Sequence, residues 1–324
     1  MPLVSVIIPA YNAAKFIRET LTSVQQQIWP SIEVFVIDDG SVDDTVAIAR
    51  SFQNDHFSVV EQKNSGACVA RNRGLDLSKG KYIQFLDADD VISPEKIQRQ
   101  VEVLEENPGY LGVCSTVHFL NGDNYLQMKP REESFWIYDT DDPVDFLVRL
   151  YGGDGKRWMV QTSAWLTPKT ITDRIGAWNE SLLLDQDGEY FARAVLASNG
   201  IRTTPGINYY RRFTWGNNIS AKSGKKENLE SALLALNLKA QYLSQYTHSD
   251  RYMQAFATLY VEIAINAYPQ FPELVTRCEE EIQKTGKMPD LPVLGGKLIE
   301  LIKYFLGWKT AKLVRKRIHS LINR

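Results

Sequence analysis

Short apolar runs alternate with amphipathic segments along the first hundred residues. Four of these runs have the length and β-branched content of buried strands, at 3–8, 32–37, 57–61 and 82–86. Apolar positions at helical spacing predict helices between and after them, at 14–27, 43–52, 66–77 and 94–106. Strands that alternate with helices in this way predict an α/β fold, with a mostly parallel central sheet flanked by helices.

The pattern beyond residue 110 is mixed at first and then helical. Three strands and one helix are predicted in the mixed part, at 112–119, 161–167, 207–211 and 188–197. From residue 225 the apolar spacing is helical, with long amphipathic helices at 229–246 and 251–267. We therefore expect a helical extension to follow the α/β region.

The overall composition is that of a globular protein. Hydrophobic residues make up 44% and charged residues 23% of the 324 positions, which excludes wholesale disorder and a miniature fold held by disulfides. Cys68, Cys114 and Cys278 lie far apart and outside any C-x-x-C pair, so we expect neither a disulfide framework nor a zinc site. A chain of this length is expected to form about two domains.

Charge is unevenly distributed along the chain. Lys and Arg number 37 against 39 Asp and Glu, a net charge of -2, so we expect no nucleic-acid partner. The tail at 296–324 holds eight cations and one anion, or +7, which leaves -9 for the rest. This basic amphipathic tail favours peripheral contact with an anionic membrane. The alternative is a helix that docks its apolar face on the protein itself or on a second subunit.

The sequence shows no pattern of a secretory signal or of a membrane span. No Lys or Arg precedes the N-terminal apolar run, and no segment approaches the ~18 uninterrupted apolar residues of a spanning helix. We therefore expect a cytoplasmic protein that can lie peripherally on the inner face of the plasma membrane.

Acidic residues follow a predicted strand at its carboxyl end, where open α/β sheets bind ligands. Asp87, Asp89 and Asp90 come directly after the strand at 82–86. Two carboxylates at this spacing can share Mg²⁺ or Mn²⁺, which in turn binds the oxygens of a diphosphate. The alternative is a solvated acidic turn before the next helix.

Two further groups of polar residues are predicted at the same edge of the sheet. Asp38 and Asp39 end the second strand, where a carboxylate can accept a hydrogen bond from a nucleobase. The residues that follow also fit a helix cap, and both roles are compatible. After Asn64, Arg71 lies on the third predicted helix, where a guanidinium can bind phosphate oxygens or serve as surface charge.

Four segments, in this order and spacing, resemble the inverting glycosyltransferases of family 2: VSVIIPAYN, DDGSVDDT, NSGACVARNRGL and FLDADD. The resemblance is strongest over 4–94 and weaker beyond. It implies a GT-A fold, in which a Rossmann-like domain at 1–220 binds the nucleotide-sugar through its half 1–108 and the acceptor through its half 109–220. Residues 221–324 would then form the helical C-terminal region.

The resemblance also implies the residues of a donor site. A nucleotide-sugar, most of all a UDP-sugar, would be bound by Pro9, Tyr11, Asn12, Asp38, Asp39, Asn64, Arg71, Asp87, Ala88 and Asp89. Of these, Arg71 and Asp87 would hold the diphosphate. Asp89, together with Asp87, would bind the metal cofactor, Mn²⁺ or Mg²⁺.

The catalytic base implied by the resemblance lies in the second half. The segment 184–193, LDQDGEYFAR, occupies the position of an acidic motif of the family, and counting back from its final arginine aligns Asp187 with the aspartate of that motif. Gln186 replaces the glutamate of the motif, which leaves Asp185 and Glu189 open as alternatives. An acidic helix N-terminus without a catalytic role has the same pattern.

Two other features are compatible with the resemblance. The segment YYRR at 209–212 is similar to the end of the family's second half, where a basic residue can reach the diphosphate. Trp158 and Trp165, near the expected acceptor side, fit either sugar stacking or the core.

The resemblance therefore predicts a metal-dependent inverting glycosyltransferase. It would move a sugar from a nucleotide-sugar to a glycan or lipid-linked acceptor, in the synthesis of a cell-surface polysaccharide or glycolipid. One alternative is a non-catalytic nucleotide-sugar-binding or scaffold protein, which the loss of the motif's glutamate at Gln186 favours. The other is a sugar-1-phosphate nucleotidyltransferase, which needs a Gly-rich loop where this chain has PAYN.

Overall fold

The computed structural model describes residues 1–130, 137–212 and 224–322. The chain divides into two compact units. Unit 1 consists of Met1–Leu147, Trp158–Ser181 and Gln186–Gly216. Unit 2 consists of Val148–Arg157, Leu182–Asp185 and Asn217–Arg324. The expected domain boundary at 220–221 lies outside the described residues, and the expected division of the first domain at 108–109 stays a prediction.

Unit 1 is organised around one sheet. Within the described residues this sheet has eight strands, β1 Val4–Ala10, β2 Ile32–Asp38, β3 Phe57–Glu61, β4 Tyr82–Phe85, β5 Val91–Ile92, β6 Leu111–Phe119, β7 Trp165–Pro168 and β8 Ile201–Arg211. Their order across the sheet is β3-β2-β1-β4-β7-β6-β8-β5. The first four strands in this order are parallel, β7 is antiparallel to β4 and β6, and β8 is parallel to β6 and antiparallel to β5. The predicted α/β fold with a mostly parallel sheet is confirmed.

The helices up to residue 197 alternate with these strands. They are α1 Ile17–Gln25, α2 Thr45–Arg50, α3 Ala67–Leu77, α4 Lys96–Glu106, α5 Pro143–Leu150, α6 Lys169–Ile175 and α7 Gln186–Ala197. Short 3-10 turns lie at Tyr125–Gln127 and Thr162–Ala164.

β1 lies within the parallel part of the sheet because it is apolar on both faces. Six of its seven residues are buried, the pattern of a strand covered on both sides. Ala10 pairs with Asp38 of β2, and Ile7 pairs with Phe85 of β4, so three strands end at one edge. Gly74 lets α3 approach this sheet closely, since a Cβ there would lie 2.3 Å from Cγ2 of Ile7.

One helix begins later than its apolar pattern predicts. α1 starts at Ile17 rather than at residue 14, because side chains of the segment after β2 bind the backbone amides of 12–14. The three acceptors are Ser41 Oγ, Thr45 Oγ1 and Asp43 Oδ2, at 2.9, 2.8 and 3.2 Å. These amides therefore form a loop at the edge of the sheet and not a first helical turn.

Two strands also differ from the predicted pattern. Of the expected strand 161–167, the first part is the 3-10 turn Thr162–Ala164, because two of its carbonyls accept hydrogen bonds from the buried amides of Gln84 and Gln100. β8 extends well to the amino side of the expected 207–211, and its pairing with β6 shifts register once along the way.

Unit 2 contains the C-terminal helices α8 Lys226–Ser244, α9 Asp250–Ala267, α10 Pro272–Thr285 and α11 Lys297–Ile322. α11 packs against α9 through a small apolar core of Val261, Ile265, Leu294, Ile299 and Ala311. Gly307, at φ 80°, interrupts the helical backbone of α11. The predicted helical C-terminal region is confirmed. None of the helices in the described ranges is both long and apolar enough to cross a membrane.

Candidate active site

The acidic turn at 87–90, directly after β4, is held by side chains from distant parts of unit 1. Ser163 Oγ accepts a hydrogen bond from the Asp87 amide at 3.2 Å and donates to Asp90 Oδ2 at 2.8 Å. Thr20 Oγ1 donates to the carbonyl of Ala88 at 2.9 Å. These contacts fix the backbone of the turn, so its carboxylates are presented in a defined arrangement.

Arg211, at the end of β8, secures the same turn from another side. Its Nε donates to the carbonyl of Asp89 at 3.0 Å, and its amide donates to Asp90 Oδ1 at 3.2 Å. Its guanidinium also pairs with Glu19 and lies over the rings of Phe16 and Phe119. The side chain is 5% exposed. Arg211 therefore positions the acidic turn, whereas the sequence pattern suggested that a basic residue here reaches a diphosphate.

The carboxylates of the turn are crowded and partly buried. Burial, and then the charge of Asp87, raise the pKa of Asp89 to about 7. Burial also raises the pKa of Asp90 well above its usual range, and the charges of Asp89 and Asp87 add to this effect. A divalent cation shared by Asp87 and Asp89 would relieve this repulsion, and carboxylate oxygens are the ligands that Mg²⁺ and Mn²⁺ prefer.

The residues therefore fit a cation that shares its coordination with the oxygens of a ligand. No group of three or more acidic, His or Cys side chains suited to a metal occurs within 1–130, 137–212 and 224–322. Asp87 and Asp89 would supply two ligands, and the remaining ones would come from a diphosphate and water.

Arg71 connects the acidic turn to the start of α7. Its guanidinium donates to Asp87 Oδ1 at 2.8 Å and to Gln186 Oε1 at 3.2 Å. It also lies over the ring of Trp178, 4.5 Å from the centroid. Its Nε is buried and has no hydrogen-bond partner in the part of the chain that the structure describes. A cation with a remaining donor at the edge of the sheet is suited to a phosphate oxygen.

The loop at 176–180 is fixed close to Arg71 by Asn72 on the same helix. The side chain of Asn72 accepts from the amide of Trp178 at 2.7 Å and donates to its carbonyl at 3.0 Å. A further bond of 2.8 Å joins Asn72 to Glu180. This two-way contact holds the indole under the guanidinium.

The two aspartates that end β2 shape the backbone around them. Asp38 Oδ2 accepts hydrogen bonds from the amides of Gly40 and Ser41, and Asp38 Oδ1 is buried without a partner among the described residues. Asp39 accepts three bonds of 2.8 Å, from Gln62 Nε2 and from the amides of residues 65 and 66. A carboxylate accepts about four, so one position remains for a ligand.

The remaining predicted donor residues lie along the same edge. Asn12 has a left-handed φ of 49°, and its Oδ1 accepts from the amide of Val42 at 2.9 Å. Tyr11 is 54% exposed, and Asn64 is also exposed. Pro9 opposes Ile37 in the pairing of β1 with β2. None of these residues has a contact that commits it to a nucleobase.

The three carboxylates considered as the base have different environments. Glu189 is 1% exposed and forms a bidentate ion pair with Arg193, at 2.7 and 2.9 Å. Asp185 has a left-handed φ of 59° and pairs with Lys239 within unit 2. Asp187 is half-buried in the first turn of α7. Glu189 and Asp185 therefore each form an ion pair, with Arg193 and Lys239.

Asp187 and the carboxylates of the acidic turn have a neighbour in common, Tyr210. Burial raises the pKa of Tyr210 to about 12, and the charges of Asp90, Asp87, Asp89 and Asp187 add to the effect. The pKa of Tyr210 is therefore affected by both groups of carboxylates.

Trp165, which fitted either sugar stacking or the core, belongs to the core. Its side chain is buried and its ring stacks on that of Phe191, with 4.8 Å between the centroids.

Sequence reasoning does not identify three residues as participants in this arrangement: Glu19, Ser163 and Gln186. In the sequence Gln186 is only the replacement for a glutamate, yet in the structure it accepts a hydrogen bond from Arg71. Ser163 and Glu19 have no motif around them, and only their contacts identify them.

The fold and this edge define a class of protein. A sequence model of Glycosyl transferase family 2 matches residues 5–165, the segment that contains β1, Arg71 and the acidic turn. Residues 5–165 are therefore similar to glycosyl transferase family 2, and the resemblance seen in the motifs is confirmed.

Particular members of this class resemble parts of the chain. The putative teichuronic acid biosynthesis glycosyltransferase TuaG of Bacillus subtilis is 42% identical over 108 residues, which cover 32% of this chain and 43% of TuaG. In three curated relatives the matched segments span from a third to just over half of each relative's length.

Solved structures show the same fold at low identity. TarS 1–349 of S. aureus, solved with UDP-GlcNAc, has a TM-score of 0.61 at 18% identity, covering 87% of this chain and 90% of that one. The mannosyltransferase PcManGT of Pyrobaculum calidifontis, solved with GDP-Man and Mn²⁺, has a TM-score of 0.57 at 18% identity, covering 96% and 84%. The expected GT-A fold is confirmed.

Proposed function

We propose that this chain transfers a sugar from a nucleotide-sugar, with UDP as the nucleotide, to an acceptor hydroxyl. The observation that carries the proposal is the position of Arg71, which donates both to Asp87 and to Gln186. Its guanidinium joins the turn expected to bind the donor diphosphate to the helix expected to carry the base. The complex of TarS with UDP-GlcNAc supports UDP as the nucleotide.

The reaction proposed is a single displacement. The acceptor hydroxyl loses its proton to the carboxylate of Asp187 while its oxygen forms a bond to C1 of the donor sugar. The bond between C1 and the diphosphate oxygen breaks, and the nucleoside diphosphate leaves with the electron pair. Attack on the face opposite the leaving group inverts the anomeric centre. Arg71 would bind the leaving phosphate oxygens through terminal N–H groups of its guanidinium that Asp87 and Gln186 do not use.

Asp87 and Asp89 would hold Mn²⁺ or Mg²⁺ beside that diphosphate. When bound, the cation would act as a Lewis acid that stabilises the negative charge of the leaving group. The Mn²⁺ in the structure of PcManGT supports this part of the proposal. The residues proposed to contact the rest of the donor are Pro9, Tyr11, Asn12, Asp38, Asp39, Asn64 and Ala88.

The acceptor proposed is a glycan or a lipid-linked saccharide of a cell-surface polymer. The name of TuaG, which refers to teichuronic acid biosynthesis, supports a cell-surface polysaccharide. We also propose that 296–324 makes peripheral contact with an anionic membrane on its cytoplasmic face. The charge of +7 in this segment and its exposed apolar residues support that contact.

Donor binding is tested by thermal shift with UDP-, GDP-, dTDP- and CDP-sugars, each with and without Mn²⁺. We expect a UDP-sugar to raise the melting temperature only when Mn²⁺ is present, because a ligand that binds the native state stabilises it. Asp89→Ala should remove the Mn²⁺-dependent part of that shift. An unchanged shift in this variant would exclude Asp89 as a ligand.

Transfer itself is tested with Asp187→Asn and, as the matched control, Asp185→Asn. We expect Asp187→Asn to lower turnover by a factor of about 10² to 10⁴ with donor binding intact, because a general base is lost. Asp185→Asn should stay within about threefold, a change worth under about 1 kcal/mol of activation energy. If the wild type binds donor and turns over no acceptor, the non-catalytic alternative holds. The anomeric coupling in the proton NMR spectrum of the product tests inversion.

A further inference from the structure

One cavity is lined by residues of unit 2, none of which is proposed for sugar transfer. It has a volume of about 550 Å³, within the range of small-molecule sites. One wall is the end of α9 and the loop after it, including Asn266 and Tyr268. The other wall is the last part of α11. Ile265 and Leu294 supply apolar lining.

The α11 wall is strongly basic. Lys312, Arg315, Lys316 and His319 line the cavity, and their spacing of three, four and seven positions puts them on one face of the helix. None of the ten lining residues, all within the described part of the chain, is acidic. Arg315 donates to the carbonyl of Leu294, and no carboxylate of the described residues pairs with Lys312 or Lys316.

The charges of Lys312, Arg315 and Lys316 repel one another. Burial lowers the pKa of Lys312, and the charges of Arg315 and Lys316 lower it further. Two other lysines of α11 have acidic partners, since Lys303 pairs with Glu300 and Lys309 with Glu279. An anion in the cavity would remove the repulsion, and a phosphate oxygen suits both lysine and arginine donors.

The first part of α11 exposes several apolar side chains. Ile299 packs in the core of unit 2, while five neighbours, which we call the apolar face, point to solvent: Leu298, Leu301, Tyr304, Phe305 and Leu306. They are 55% to 82% exposed. Contiguous exposed apolar side chains mark a surface that binds a partner. Gly307 interrupts the helix between this face and the cavity, but both parts of α11 pack in the same core, through Ile299 and Ala311.

We propose that the cavity binds the phosphate of an anionic membrane lipid while the apolar face lies at the boundary between headgroups and acyl chains. A free phosphate would satisfy the cations and leave the apolar face in water. An amphiphile that carries a phosphate satisfies both, and a helix with exposed aromatic and cationic side chains is typical of interfacial binding. The inference rests on the proposed membrane contact and adds a defined headgroup site to it.

The test is flotation of the full chain with vesicles of phosphatidylcholine, alone or mixed with phosphatidylglycerol. We expect binding only to the mixed vesicles. Lys312→Gln with Lys316→Gln should weaken it at least about tenfold, because both lysines line the cavity proposed to bind the headgroup phosphate. The control, Lys297→Gln with Lys309→Gln, removes two charges of the same helix from outside the cavity. Because Lys309 is paired with Glu279 and neither lysine lines the cavity, this control should weaken binding less than the cavity pair does.

The outcomes separate the site from the membrane contact. Equal weakening by both pairs would overturn the headgroup site and leave a general basic tail. Failure of the wild type to float would overturn the membrane contact, with no bearing on sugar transfer. A third outcome is that the protein does not bind vesicles but binds inorganic pyrophosphate, and that this binding requires Lys312 and Lys316. The ligand of the cavity would then be a free phosphate, and the lipid proposal would be wrong.

The apolar face has its own control. Phe305→Ser with Leu306→Ser should also weaken flotation, and its circular dichroism melt should match the wild type because both side chains are exposed. If this variant floats normally but turns an oligomer into a monomer in sedimentation, a second copy of the chain covers the face and the proposal fails.

Discussion

Asp187 and Glu189 stand two positions apart on α7 and have opposite environments. Asp187 is half-buried at the first turn, where the helix dipole favours a negative charge. Glu189 is buried on the next face and bound to Arg193, which also donates to the carbonyls of Ile175 and Ala177. A single residue's shift along a helix turns the side chain by about 100°, so sequence proximity says little about which acid meets a ligand.

Glu189→Gln should therefore lower the stability of the protein and leave the rate of sugar transfer unchanged. Removing one partner of a buried bidentate pair costs about 3 kcal/mol, because the guanidinium of Arg193 keeps only part of its hydrogen bonds. The measurement is chemical denaturation, followed by turnover at a temperature where the variant is folded. A variant of normal stability that has lost turnover would instead identify Glu189 as the base.

Lys96 gives a pH dependence at a position without a catalytic role. It is fully buried between α4 and the sheet, and its Nζ donates to the side-chain oxygens of Gln84 and Gln100. Burial lowers the pKa of Lys96 to about 8. The unfolded chain then binds more protons than the folded one from about pH 8 up to the ordinary lysine pKa of about 10.4, so this lysine makes stability rise with pH in that window.

The prediction is a difference between two titrations. From pH 8 to 10 the free energy of unfolding of the wild type should rise relative to that of Lys96→Met, by up to about 1.4 kcal/mol per pH unit. Cysteines and tyrosines titrate in both proteins and largely cancel. Lys79→Met, at an exposed lysine, is the control substitution. A difference between the wild type and Lys96→Met that stays constant from pH 8 to 10 would mean that Lys96 is not desolvated.

The helices and loops around the site are positioned by contacts between distant segments as much as by the secondary-structure propensity of their own residues. α3 carries Arg71 to the edge of the sheet only because Gly74 leaves room for Ile7 of β1. The loop between β1 and α1 forms because side chains after β2 take its amides. Each of these contacts joins segments more than 25 residues apart, so the local sequence cannot encode it alone.

Gly74→Ala should destabilise the protein in spite of the better helix propensity of alanine. The new Cβ would lie 2.3 Å from Cγ2 of the fully buried Ile7, and overpacking of this kind costs about 1–3 kcal/mol. The better helix propensity of alanine would offset about 1 kcal/mol of this loss of stability. Denaturation of this variant beside Asp76→Ala, an exposed position on the same helix, isolates the contact. Equal or higher stability of Gly74→Ala would show that α3 can shift away from β1.

Charge is the property of the whole molecule that separates its two ends. The last 29 residues hold +7 and the remainder -9, although the net charge is only -2. A polyanionic surface would attract the tail and repel the rest, which favours one orientation. Screening by salt acts on such exposed charges first, with a Debye length of about 8 Å at physiological ionic strength.

Vesicle binding should therefore weaken as salt rises. Between about 0.05 and 0.5 M NaCl we expect the affinity for phosphatidylglycerol vesicles to fall by at least about tenfold. The binding that remains at high salt would come from the apolar face. Flotation at each salt concentration measures it. Affinity that is indifferent to salt would assign the contact to apolar burial alone.

The alternation of apolar runs was enough to predict the α/β fold, the parallel strands β1 to β4 and the C-terminal helices, because burial on a sheet or on a helix face imposes a period that can be counted. The motifs were enough to indicate the family. Their residues meet at one edge because parallel strands end there.

Only the tertiary structure determined which side chains contact one another. It showed that Arg211 holds the acidic turn, that Arg71 reaches Gln186, and that Glu189 and Asp185 are taken by Arg193 and Lys239. These pairs form between segments that are brought together by packing, or, for Glu189 and Arg193, depend on which face of α7 is buried. A linear pattern records the type of each side chain and its neighbours in sequence, whereas a hydrogen bond depends on distance and direction in the folded chain.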